Sequence, residues 1–323
     1  MKEFHLQNAA GLRLSVLDFG ATLTALEIPI NGTYRNVLLS CDPLDYPNQR
    51  SYLGAIVGRF ANRIGNARLE RAGQEWQLDA NEGTTCLHGG SDSLHNREWQ
   101  LDGLAEDRIR LQTRLADGEQ GFPGNLDVTV EYRLEQTDLV IELSATTDAP
   151  TPVNLTSHAY FNLDGGDVRD HRITINADRY LPTDEHSLPL GIAPVEGVFD
   201  LRHGKRVGEQ WMTHSQQKKC LGFDHCFLFG DASPSPQATL MAGDGSLCME
   251  MYTNQPGVQL YTGNWLAGTP KRGGGHWENY QGLCLEAQQV PDSPSRPELG
   301  NPWLEPGERY QHITRYRLIP VMV

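Results

Sequence analysis

The chain of 323 residues has no apolar run long enough to cross a bilayer, and its opening, MKEFHLQNAAG, contains no apolar stretch of the signal-peptide kind. Neither export nor membrane insertion is expected, and the cytoplasm is the expected compartment. Basic residues are scarce as well. Lys and Arg number 27 against 41 Asp and Glu, a formal net charge of -14, which argues against nucleic acid or an anionic membrane as partner because both need a basic patch. The six cysteines, Cys41, Cys86, Cys220, Cys226, Cys248 and Cys284, form no C-x-x-C pair or zinc-ribbon spacing, so free thiols are expected. The sequence also lacks H-x-H and H-E-x-x-H spacings, a glycine loop of the P-loop or dinucleotide type, and a G-x-S-x-G elbow. A metal centre, a nucleotide cofactor and an elbow serine are therefore unsupported.

Extended i, i+3, i+4, i+7 periodicity is nearly absent too. In its place stand short apolar runs bounded by turn residues, with 33 Gly and 19 Pro in the chain, the pattern of a mainly antiparallel β protein. Strands are expected near residues 12–16, 22–28, 34–39, 109–113, 126–134, 139–145, 173–175, 222–229, 247–252, 257–261, 282–288 and 311–318, with a hairpin over 67–78 turning at Arg71-Ala72-Gly73. The best helix candidate is 206–219, RVGEQWMTHSQQKK, with Val207 and Trp211 on one face. No linker or low-complexity tract interrupts the chain, and one domain over 1–323 is the expectation.

Residues 151–163, TPVNLTSHAYFNL, separate by strand alternation into an apolar face and a face carrying Asn154, Thr156, His158, Tyr160 and Asn162. That polar face fits either a buried hydrogen-bonded network around a core histidine or a surface for a neutral, hydroxylated ligand. In GLCLEAQ, 282–288, Leu283, Leu285 and Ala287 share one face while Cys284, Glu286 and Gln288 share the other, so a carboxylate projects from a strand backed by core. Such a carboxylate needs a partner or a raised pKa: it is either a structural ion pair or a general base. The segment 51–64, SYLGAIVGRFANRI, sets Arg59 and Arg63 beside Asn62, each arginine open to an ion pair or a ligand contact. His88 precedes a Gly pair on a turn, Asp224 stands at the mouth of an apolar strand, and Gln259 shares a strand face with Tyr261.

Seven stretches, GRFANRI, LHGG, DGEQGFPG, TPVNLTSHAYFNL, GFDH, QPGVQLYTGNWL and GLCLEAQQVPD, follow one another in an order and at spacings that resemble the aldose 1-epimerases, or galactose mutarotases. The resemblance runs over nearly the whole chain. It implies an all-β fold, a large antiparallel β-sandwich with a sugar cleft across one sheet, and interconversion of the α and β anomers of a free aldohexose, galactose or glucose. By the same resemblance Glu286 would be the base on the C1 hydroxyl and His158 the acid on the ring oxygen, with Asn62, Arg63, His88, Asp224 and Gln259 holding the sugar. A hemiacetal needs no metal or cofactor for this, and the only partner implied is the sugar, on a monomer or homodimer. In their usual protonation states Glu286 would set the acid limb of the pH profile and His158 the alkaline limb. The rival readings are a sugar-binding protein without catalysis and a hexose-6-phosphate epimerase, which would want basic residues at the cleft rim; none is evident. The chain departs from the family pattern at Ser157, at Glu82-Gly83-Thr84-Thr85 and from Ser293 to Pro302.

Overall fold

A computed structural model describes residues 1–230 and 235–321. Three antiparallel sheets hold most of the strands. The first is a four-stranded meander, Glu3–Gln7, Arg13–Leu17, Thr22–Ile30 and Thr33–Asn36, whose last reversal is an Asn31-Gly32 turn with both residues at positive φ. The second has nine strands, in spatial order Gln100–Leu104, Arg108–Leu115, Leu126–Glu135, Asp138–Thr147, Tyr310–Pro320, Leu247–Thr253, Ala238–Met241, Arg172–Ile175 and Lys205–Arg206. The third has six: Tyr160–Phe161, Leu283–Gln288, Gly257–Tyr261, Asp224–Phe229, Ala177–Tyr180 and Ala193–Pro194.

The nine- and six-stranded sheets face each other across a common core, as alternation along their strands requires. From one side come Ile109, Leu111, Val130, Ile141, Met249 and Leu318; from the other, Phe161, Phe227, Val258, Leu260, Leu283 and Leu285. Tyr316 ties the layers directly. Its ring lies 4.9 Å from that of Phe161, and its hydroxyl donates to the Leu285 carbonyl at 2.8 Å. The meander joins the same core through Val16, Leu23 and Leu26, and Tyr132 donates to the Ala21 carbonyl at 2.6 Å. This is the expected antiparallel β-sandwich. Among the described residues no helix is long and apolar enough to cross a membrane, and all six cysteines are free and buried.

Two local expectations are corrected. Residues 151–163 are not one strand but three two-residue strands, Thr151–Pro152, Thr156–Ser157 and Tyr160–Phe161, each paired in a different ladder. The segment threads the interior, so its whole length is buried and alternation separates chemistry without separating core from solvent. The helix candidate 206–219 is mostly turns. Gln210 and Met212 take positive φ, and only Ser215–Cys220 is helical, with His214 Nδ1 accepting from the Gln216 N–H. Val207 nevertheless enters the core and Trp211 packs on it.

The two arginines of the GRFANRI stretch part company. Arg59 is structural: its guanidinium, only 1% exposed, donates to the carbonyls of Pro123 (2.6 Å), Gly124 (2.7 Å) and Ala116 (3.3 Å) and to the Thr151 hydroxyl (3.0 Å). It thereby pins the glycine-rich loop DGEQGFPG. Replacing it by Ala would strand several buried acceptors at once, and Arg59→Ala should lower stability by about 3 to 5 kcal/mol in chemical denaturation, with Arg59→Lys losing less. Equal stability of Arg59→Ala and the parent would show that the loop is held by other contacts.

Candidate active site

The face of the six-stranded sheet away from the core carries the polar residues. Register places Gln259 opposite Glu286, and Asp224 opposite Tyr261, which in turn lies opposite Cys284; Cys284 is opposite Tyr160. Period-2 alternation puts Asp224, Gln259, Tyr261, Glu286 and Tyr160 on one side while Leu283, Leu285, Val258 and Leu260 fill the other. Loops cover this outer face. As a result the strand Leu283–Gln288 is buried on both sides, and Glu286 is 2% exposed.

Those loops close a cavity of about 490 Å³, within the usual range for small-molecule sites. All seven residues singled out from the sequence, Asn62, Arg63, His88, His158, Asp224, Gln259 and Glu286, line it. His158 is held by its backbone, N–H to the Ala55 carbonyl at 2.8 Å and carbonyl to the Gly54 N–H at 3.0 Å, and its ring sits among Tyr52, His88 and Tyr160 at centroid distances of 5.1 to 5.7 Å. Its Nε2 lies 3.8 Å from Glu286 Oε1. That separation is too long for a hydrogen bond, so each group is left to engage a third party. Two atoms of the wall, Glu286 Oε2 and Gln259 Oε1, are buried without a hydrogen-bond partner in the protein and so are free to meet a polar molecule in the cavity.

Asn62 and His88 fix each other. The Asn62 N–H donates to His88 Nδ1 and the His88 N–H to the Asn62 carbonyl, both at 3.1 Å, with both residues at positive φ. Close approach of the two loops depends on Gly89, where a Cβ would collide with the Gly58 backbone. Arg63 follows, paired in register with Leu87. Its Nε and Nη2 donate to Glu82 at 2.6 and 2.8 Å, and Nη1 stands 3.9 Å from Asp224 Oδ2; Asp224 Oδ1 in turn accepts from Gln259 Nε2 at 2.6 Å. Glu82, Arg63, Asp224 and Gln259 thus form a polar string along the cavity.

Desolvation governs the proton inventory. Burial raises the Glu286 carboxyl well above the ordinary carboxylate range, with Asp224 adding to the effect and Arg63 opposing it. His158 moves the other way, pushed down to about 4 by burial and only partly restored by a hydrogen bond with its own backbone. His88 is held well below the usual imidazole value by burial, then by His158 and Arg63. Asp224 is raised by burial against the pull of Arg63, and Arg63 itself is raised because Asp224 and Glu82 outweigh its own desolvation. Burial thus moves the two groups in opposite directions, Glu286 toward keeping a proton and His158 toward losing one, which inverts the order expected from ordinary pKa values.

Several sequence readings change in detail. Of the polar face of 151–163 only His158 and Tyr160 reach the cavity; Asn154 donates to the Ala61 carbonyl at 3.0 Å and Asn162 to the Gly166 and Gln281 carbonyls at 2.7 Å, so these amides hold backbone. His225, next to Asp224, points away and meets Gln216 at 3.2 Å. Tyr52, Glu82, Trp265, Arg50, Glu185 and Lys219 line the cavity without having been anticipated. Trp265, 65% exposed at the mouth, could have been noticed as a bulky aromatic inside the QPGVQLYTGNWL stretch. Arg50 and Lys219 are rim cations of the kind a sugar phosphate would want, but Lys219 is already bonded to the Thr183 carbonyl and hydroxyl.

The donor atoms of His88, His158 and Glu286 lie within 4.8 Å of one another, close enough to pose the question of a cation. The Asn62 N–H on His88 Nδ1 answers it. In a neutral ring that bond leaves the proton on Nε2, so neither nitrogen offers a lone pair to a metal; His88 instead presents an N–H donor. Nitrogen NMR of the free protein should find His88 neutral with Nδ1 unprotonated, and His158 neutral, throughout pH 5.5 to 8. An imidazolium at either position near pH 7 would contradict the desolvation argument.

The arrangement has close relatives. A family model described as Aldose 1-epimerase matches residues 2–317. Aldose 1-epimerase of Escherichia coli is 41% identical over 97% of this chain and 94% of its own, and human galactose mutarotase 38% identical over 98% and 94%. Among solved structures, an aldose epimerase homologue from C. elegans superposes with a TM-score of 0.93 at 29% identity, covering 99% of both chains; galactose 1-epimerase from Lactobacillus acidophilus gives 0.88 at 32%, covering 99% of this chain and 95% of that one. Sandwich, cavity and sequence agree, and the chain belongs to the aldose 1-epimerase family of isomerases.

Proposed function

We propose that this chain interconverts the α and β anomers of a free aldohexose, galactose or glucose, acting as a single domain in the cytoplasm without metal or cofactor. The observation that carries the reading is the buried pair, Glu286 Oε1 and His158 Nε2, 3.8 Å apart and unbonded to each other. The two oxygens that must exchange protons, the anomeric hydroxyl and the ring oxygen, hang from the same carbon, so acid and base must be neighbours. Glu286 takes the hydroxyl proton while His158 protonates the ring oxygen; C1 opens to an aldehyde, rotates, and recloses with the roles reversed. Asn62, Arg63, His88, Asp224 and Gln259 hold the remaining hydroxyls. A protein that only bound sugar would have no need of an acid and a base set side by side and unbonded to each other. A phosphorylated sugar is disfavoured because Glu82, Asp224 and Glu185 share the cavity wall with Arg50, Arg63 and Lys219.

Polarimetry or NMR exchange on free galactose and glucose tests the activity, with EDTA expected to have no effect. Glu286→Gln and His158→Asn should each lower kcat by about 10² to 10⁴ with little change in affinity, and the double variant should lose less than the product of the two. Parental exchange rates in both variants would place the chemistry elsewhere.

The pH profile tests the inverted inventory. The reactive pair carries one proton, so kcat/KM falls at low pH when a second is added, at His158 near 4, and at high pH when Glu286 ionises from its raised value, both as apparent constants of the pair. In the residual activity His158→Asn should therefore lose the acid limb and Glu286→Gln the alkaline limb. The opposite pattern would restore the ordinary assignment.

A further inference from the structure

Of the three departures from the family pattern, only one reaches the cavity. Ser157 and the segment 293–302 lie outside its lining, whereas Glu82 is part of the wall. The Glu82-Gly83-Thr84-Thr85 segment is a tight turn closed by its own backbone, Glu82 N–H to the Thr85 carbonyl at 3.2 Å and Thr85 N–H to the Glu82 carbonyl at 2.9 Å. The Thr85 hydroxyl reaches the Glu82 carbonyl at 2.9 Å and its carboxylate at 3.2 Å. On the other flank Asn81 braces the chain by exchanging two bonds with the Leu87 backbone, at 2.8 and 3.0 Å. Leu87 is the residue paired with Arg63, so this turn is built to bring a carboxylate to that guanidinium.

The grip is side-on. Glu82 occupies Nε and Nη2 of Arg63 at 2.6 and 2.8 Å, which orients the planar fork and leaves Nη1 turned toward Asp224 at 3.9 Å. It also sets a negative charge against a cation of the cavity wall that could otherwise attract an anionic substituent. We infer that Glu82 is a positioning residue that fixes the Arg63 fork for sugar hydroxyls and, by cancelling its charge, makes the cavity selective for uncharged aldoses over phosphorylated ones. This rests on the assignment of anomer exchange to the cavity.

The side chain of Glu82 is 40% exposed, so replacing it does not open the core. Glu82→Gln keeps the shape and one acceptor and removes the charge; Glu82→Asp keeps the charge and shortens the reach. Each is compared with the parent for kcat and KM on galactose and for inhibition of galactose exchange by galactose 6-phosphate. In Glu82→Gln, kcat should stay within about twofold, KM rise about threefold to tenfold, and inhibition by the phosphate tighten at least fivefold. Glu82→Asp should show the raised KM and keep the parent's indifference to phosphate. A merely structural role would lower thermal stability and the active fraction without creating sensitivity to an anion. Parental KM, or parental response to galactose 6-phosphate, in Glu82→Gln overturns the inference. If the parent itself does not exchange galactose or glucose anomers, it is the underlying assignment that fails.

Discussion

Everything at the cavity depends on one strand being buried on both faces by different chemistry. In Leu283–Gln288 the pleat sends Leu283 and Leu285 into the sandwich core and Glu286 to the opposite side, where loops exclude solvent. The core face holds the strand rigid: Leu285 is gripped through its carbonyl by Tyr316 from the other sheet. A carboxyl one residue along from so fixed a point has little freedom to move toward water. Its raised pKa is thus a consequence of where the sheet places it, and follows from packing rather than from any special local sequence.

The same desolvation that tunes Glu286 would make an unbalanced cavity unstable, and the surrounding charges are arranged to cancel. Glu82, Arg63 and Asp224 alternate in sign along the wall, and Gln259 closes the string through a neutral amide. A buried ion needs both an opposite charge and hydrogen bonds, and Arg63 receives both while still exposing part of its fork to the cavity. Histidines complete the balance by staying neutral. His88 cannot become a second cation without losing the Asn62 N–H that orients it, so it remains a donor of fixed direction.

Much of this was legible in the sequence because alternation in short strands is a local property. The 282–288 stretch announced a carboxylate backed by core, and register then placed it beside Gln259 without any further local information. Where the sequence misled, the deciding contact was distant. Residues 151–163 show the alternation of one strand, but their hydrogen bonds go to Trp303–Leu304, Ile56–Val57 and Leu283–Gln288 in turn, which nothing within the segment announces. Arg59 and Arg63 stand four residues apart in the same motif; one closes a loop from Ala116 to Gly124 and the other faces the cavity, and only their partners separate them. The 206–219 stretch carried anchors at helical spacing, and those anchors do pack, but left-handed residues at Gln210 and Met212 turn the backbone instead. Glu82 was visible only as a departure whose meaning required its partner.

The inverted proton inventory sharpens how the pair could work. A catalytic pair resting with its proton on the wrong partner loses about a factor of ten in rate, or ~1.4 kcal/mol, for each unit by which the two pKa values are crossed. Against this, two unit charges about 4 Å apart attract by about 4 kcal/mol at an effective dielectric of about 20, so once a proton passes from Glu286 to His158 much of the penalty is offset by the pair itself. The transfer moves no net charge into or out of the cavity. Sugar hydroxyls between the two groups would supply hydrogen bonds to the charged form, to Glu286 Oε2 in particular, which has no protein partner. Substrate binding would therefore favour the charged, reactive form of the pair, so that acid and base become fully effective when a sugar bridges them.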